Sequence, residues 1–170
     1  MVWHACVGET EGTVVALGMF TTKIHTGMGE EVSVPNTVVF GQPIRNFSRL
    51  VQDGQFVLTT AITIGYATPW RQVHAMLMEA AQRTPGVAQE PAPYVVQTAL
   101  SDFYVEYRLC AQSNKNAPRR RAEALNQLHA NILDVFNENG VQIMSPHYMA
   151  DPAEPQVVPP GDWSGAAGQP

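Results

Sequence analysis

Apolar and polar positions change rhythm along the chain. From Val7 to Leu50 the apolar residues come in short runs that repeat every second position. Val14, Ala16 and Gly18 alternate with Val15, Leu17 and Met19. Thr22, Ile24 and Thr26 follow, then Val32 and Val34 among charged or small residues, then Ile44, Asn46 and Ser48. Successive side chains of a strand point to opposite faces, so these runs predict four or five short strands. Thr26-Gly27-Met28-Gly29 predicts a turn, because glycine accepts positive φ. Pro35 ends its strand, having no N–H to give to a ladder. Short strands at this density predict a small barrel or sandwich.

At Gln52-Asp53-Gly54 the rhythm changes, and this tripeptide is the expected boundary between two folded units. Phe56, Leu58, Thr60, Ile62, Ile64 and Tyr66 fall on one face of a longer strand. A helix follows, with Thr68 as N-cap and Pro69 at the first helical position. Its stripe is Trp70, Val73, Met76, Leu77, Ala80 and Ala81, and Thr84-Pro85-Gly86 ends it. Strands are predicted over 94–99 and 103–110, joined at Leu100-Ser101-Asp102. In the second, Phe103, Val105, Tyr107 and Leu109 share a face, with Tyr104, Glu106 and Arg108 on the other. A second helix is predicted from Pro118 to Asn139, with Leu125, Leu128, Ile132, Val135 and Phe136 inward and Gly140 at C′. Val141 to Met144 is predicted as a closing strand. That order is β-α-β-β-α-β, the ferredoxin-like pattern, with both helices on one face of a four-stranded sheet. The Pro-, Gly- and Ala-rich tail is expected to be extended or disordered beyond Pro160.

Composition narrows the functional classes. The chain has 170 residues, 45% hydrophobic and 15% charged, which suits folded domains rather than disorder. No apolar run reaches the 18 or more residues of a spanning helix, and the start MVWHACVGETEG has no signal-peptide character. A net charge of −5 argues against nucleic-acid binding. The one basic cluster, Arg119-Arg120-Arg121, is expected to be a solvated loop or first helical turn, the alternative being a phosphate or anionic-lipid contact. Cys6 and Cys110 form no CxxC pair and are expected to be free thiols.

The search for a catalytic or metal site comes back empty. His4, His25, His74, His129 and His147 are never three or four apart, so no metal and no cofactor is expected. Asp102 and Glu106 would lie ~13 Å apart on one strand, too far for joint acid–base work. There is no GxSxG elbow, and Gly27-Met28-Gly29 precedes a strand rather than a helix. The expectation is that the chain is not an enzyme. Arg108, beside Glu106 and Tyr104, is expected to be a sheet-face or interface group.

Several stretches carry a family resemblance. GTVVALGMFTTKIHT, GEEVSVPN and GQPIRNFSR resemble the β-domain that follows the pore-lining helix of mechanosensitive channels of small conductance. TIGYATPWRQVHAML, QTALSDFYVEYRL and LHANILDVFNENGVQIMSPHY resemble the αβ domain that follows it in that family. The resemblance covers roughly Val7 to Pro160. It implies a mainly α+β chain: a small Sm-like or SH3-like β-barrel over 1–52, a ferredoxin-like domain over 53–149, and a tail over 150–170. It also implies a ring of seven identical subunits, a cage whose side openings pass ions and small osmolytes, and contact with the lipid bilayer only through a transmembrane part. Residues 1–6 do not resemble a helix end feeding the β-domain, so a fragment or a misplaced start is expected.

By the same resemblance, Pro35, Asn36 and Thr37 form the loop under the pore-lining helix; from the residues alone it is equally a turn that ends a strand. Many family members carry Gly or Ser where this chain has Thr37. Val38, Val39 and Phe40 are candidate subunit-interface residues, because a β-domain of this size has a marginal core and gains by burying apolar groups against neighbours. The alternative to a channel part is a free soluble module that binds a ligand or partner, since ferredoxin-like folds host many functions.

Overall fold

A computed structural model describes residues 3–51 and 55–144. The expected boundary at 52–54, His147 and the tail lie outside the described residues.

The N-terminal part is a five-stranded antiparallel sheet whose last strand follows a single helical turn. Its strands are β1 (Trp3–Val7), β2 (Thr10–Leu17), β3 (Thr21–Thr26), β4 (Glu31–Pro35) and β5 (Ile44–Asn46), in the order β4-β3-β2-β1-β5. The single helical turn α1 (Asn36–Gly41) separates β4 from β5. The period-two reading holds for β2 to β5. It missed β1, which pairs with both β2 and β5 and puts His4, Ala5, Cys6 and Val7 in the interior. Four successive buried residues show no alternation, so this strand has no period-two signature. The small core is Val7, Ile24 and Val34, flanked by Val14, Val32 and Val39.

Turn chemistry explains the joins. Gly29 has φ +89° and closes the β3–β4 turn, with its N–H on the Thr26 carbonyl. Asn46 ends β5 by accepting from the N–H groups of Ser48 and Arg49. Ser48 Oγ in turn accepts the His4 N–H, so this turn is tied to β1.

The C-terminal part is built on β6 (Val57–Gly65), β7 (Tyr94–Leu100) and β8 (Tyr104–Gln112), in the order β6-β8-β7. Helices α2 (Trp70–Arg83) and α3 (Arg121–Glu138) cover one face. Val73, Met76, Leu77, Ala80 and Ala81 of α2 pack on Ala124, Leu128, Ile132, Val135 and Phe136 of α3. Beneath them lie Leu58, Ile64, Val105, Tyr107, Leu109 and Ala111 of the sheet. Trp70, expected in the stripe, is 46% exposed, and the Pro69 carbonyl rather than Thr68 opens the helix. Arg83 ties the helix ends together through Glu79 and Glu138, at 2.6 and 2.8 Å.

Among the described residues the sheet has three strands where four were expected. Val141–Met144 runs beside β6 but gives it a single ladder bond, Met144 N–H to the Thr63 carbonyl at 2.8 Å. The Thr63 hydroxyl donates to the Met144 carbonyl. Gly140, at φ +65°, has just turned the chain off α3, and only four described residues remain to build a ladder.

Candidate functional site

Pro35-Asn36-Thr37 is a junction rather than a loop. Pro35 is the last residue of β4 and caps α1 without a side-chain bond. Its fixed φ suits the entry to a helix, and the missing N–H costs nothing there. Asn36 then holds the turn between β2 and β3. Its Nδ2 donates to the Gly18 and Met19 carbonyls at 3.0 and 3.1 Å. Its Oδ1 accepts from the buried Thr22 hydroxyl at 2.9 Å, and its own N–H donates to the Phe20 carbonyl at 2.8 Å. One side chain thus satisfies a hairpin tip and a buried hydroxyl together. Thr37 is exposed and has no such role.

The three candidate interface residues divide by helical geometry. Val39 turns inward against the small core, while Val38 is 45% and Phe40 90% exposed. The hairpin tip held by Asn36 adds Met19 and Phe20, exposed at 86% and 78%. Sequence reasoning missed that tip. The signal was present: a turn built from Gly18-Met19-Phe20 carries two large apolar side chains where polar residues are usual. Surfaces of this kind mark contact sites.

The histidines are dispersed. His25 sits 3.1 Å from Glu31 at the surface, and Lys23 shares that carboxylate. His129 Nε2 faces the Thr60 hydroxyl at 2.8 Å. His74 stands edge-on between Trp70 and Tyr107, its Nε2 buried with no partner, and burial holds its basicity below the ordinary value. Among the described residues no three His, Cys, Asp or Glu side chains come together as metal ligands. Glu106 accepts from Arg108 at 3.3 Å and from Thr98 on the helix-free face of the second sheet. Asp102 is exposed in the β7–β8 turn. No described helix is long and apolar enough to cross a membrane.

One basic residue departs from expectation. Arg119 and Arg120 are exposed, but Arg121 is only 7% exposed. It is the first residue of α3 and bonds to the Val57 carbonyl and to Glu11. Sequence spacing cannot pair Glu11 with Arg121; only the fold brings them together.

Two sheets, one helix-covered and one with an exposed apolar end, define a two-part α+β chain with contact surface and no assembled catalytic group among the described residues. Comparison gives that architecture a family. Residues 6–49 match the mechanosensitive ion channel beta-domain, and residues 58–143 match the C-terminal region of the mechanosensitive ion channel MscS. The chain belongs to the MscS family. Two MscS family proteins of Helicobacter pylori are each 49% identical over 47 residues, which is 28% of this chain and 7% of theirs. The crystal structure of Helicobacter pylori MscS in its closed state superposes with a TM-score of 0.59 at 16% identity, over 91% of this chain and 57% of that one. Arabidopsis thaliana MSL1 gives 0.51 at 19% identity, over 85% and 50%. The chain therefore spans little more than half of the solved relatives.

Proposed function

We propose that this chain forms the vestibule of a mechanosensitive channel, on the cytoplasmic side of a bacterial inner membrane. The observation that carries the reading is the order of the two matched regions, β-domain before C-terminal region, along one chain. In this reading identical subunits, seven by family resemblance, form a ring, and ions and small osmolytes pass between them when membrane tension opens a transmembrane part. Val38 and Phe40, with Met19 and Phe20, are apolar groups that a neighbouring subunit would cover. Pro35-Asn36-Thr37 faces the pore-lining helix. The β-domain occupies 1–52 and the αβ domain 53–149, with the tail at 150–170 and a hinge near 52–54. Filtering solutes and tying subunits together needs no covalent chemistry and no cofactor.

The test is to replace the cytoplasmic region of Helicobacter pylori MscS with this chain and record from membrane patches. Stretch-activated current, with a multi-subunit mass in detergent, is expected. A strictly monomeric chimera without such current overturns the reading in favour of a free binding module.

A further inference from the structure

The two halves of the molecule meet at one buried cation. Arg121 Nε donates to the Val57 carbonyl at 2.8 Å, and its guanidinium lies 4.1 Å over the Phe47 ring. Its Nη1 donates to the Glu11 carboxylate of β2. One residue on, Ala122 presses against Gly27 of the β3–β4 turn, where a Cβ would stand 2.5 Å from the Ala122 methyl. A guanidinium withdrawn from water needs its charge compensated. Here one carboxylate does so, and that side chain is still 42% exposed to water.

His4 of β1 stands beside this pair. It is 5% exposed, with its ring edge-on to Phe56 at 4.7 Å and Nδ1 3.1 Å from the Thr13 hydroxyl. His4 and Arg121 line one cavity of about 290 Å³, whose other charged or titratable groups are Glu9, Glu11, His25, Glu30 and Arg120.

We propose that the Glu11–Arg121 pair is an acid-releasable latch holding the five-stranded sheet against the start of α3, with His4 as its trigger. Two cations side by side at a partly buried site repel. Burial, and then the Arg121 charge, hold the basicity of His4 below that of an ordinary histidine; Glu11 pulls the other way. The closed latch therefore favours neutral His4. Its contribution is complete above the ordinary histidine value of 6.5 and is lost as pH falls below that value. A proton on His4 adds a positive charge beside Arg121.

The experiment is amide exchange of the whole chain by mass spectrometry, at about pH 7.5 and about pH 5.5, corrected for intrinsic rates. In a His74→Phe background, which removes the burial-lowered histidine of α2, segments 10–17, 21–27 and 121–124 are expected to open about tenfold more at the lower pH, with segment 73–83 of α2 unchanged. His4→Phe keeps an aromatic ring against Phe56 and is expected to abolish most of that response. Glu11→Gln, a change at a partly exposed position, is expected to open the same segments about tenfold already at the higher pH. Native-like exchange in Glu11→Gln overturns the latch, as does a full pH response in His4→Phe. Parallel opening of α2 also overturns it, because that marks general unfolding. None of these readouts depends on a membrane part, so the latch and the channel reading fail separately.

Discussion

The two sheets are stabilised in different ways. Among the described residues the second has a continuous core of eighteen buried side chains, closed on one face by two helices. The first has, among the described residues, a mutually packed cluster of only three, Val7, Ile24 and Val34, and completes itself with hydrogen bonds from Asn36, Asn46 and Ser48 and with contacts borrowed from α3. Hydrophobic burial scales with area removed from water, so the second sheet can stand on packing alone. The first depends on polar joints and on neighbours.

Core truncation should break this comparison most visibly. Leu128→Ala removes a fully buried side chain between α3 and the sheet. It should cost about 3 kcal/mol, seen as a cooperative loss in denaturant midpoint with the helical signal falling throughout. Ile24→Ala deletes a side chain that is equally buried, at a cost of about 3 kcal/mol to its own sheet. Its loss should be local: exchange rising over 10–35 while α2 stays protected. Equal exposure of α2 in both variants would mean that the halves share one cooperative unit.

Asn36→Ala should come next, at about 1–2 kcal/mol, because it strands the Thr22 hydroxyl and frees the hairpin tip. The check is exchange at Gly18–Thr22. An unchanged tip would show that the sheet does not lean on this joint.

Acid should act on the packed half through His74. Burial lowers its basicity in the fold, so its neutral form contributes stability above about pH 6.5 that is lost as pH falls. His74→Phe should flatten the decline of the unfolding midpoint between about pH 7 and about pH 5. An identical decline in both proteins would place the acid sensitivity elsewhere.

The smallest effect on stability, within about 0.5 kcal/mol, is expected for Phe40→Ser, since that side chain is 90% exposed. Sedimentation should nevertheless show weaker self-association. Unchanged association would remove Phe40 from any subunit contact.

How legible each half was follows the same contrast. In the second half, the spacing of Val73, Met76, Leu77 and Ala80, or of Leu128, Ile132 and Val135, states both the helix and its inward face, because packing decides the structure. In the first half, β1 was lost because His4-Ala5-Cys6-Val7 is buried without alternation. Residues 36–41 gave no helical period, since one turn is too short to show it. Pro35-Asn36 was legible as a break, but the partners of Asn36 were not, because they lie in the β2–β3 turn and on β3, 14 to 18 residues away in sequence. Arg121 looked like a solvated charge; only its tertiary contacts, Glu11 among them, bury it.

The place of β1 also has a consequence for the order of folding. Strands β2, β3 and β4 form a meander of neighbouring hairpins, whose contacts are local and close quickly. β1 joins that meander through a tight turn at Gly8, φ +59°, but its other edge must wait for β5, with Cys6 facing Arg45 across the whole domain. Loop closure of that span costs entropy before any contact returns it. β1, second from one edge of the sheet, should therefore be half-paired during most of folding. Pulse-labelled exchange should find the β1–β5 amide bonds protected last, after every hairpin is in place.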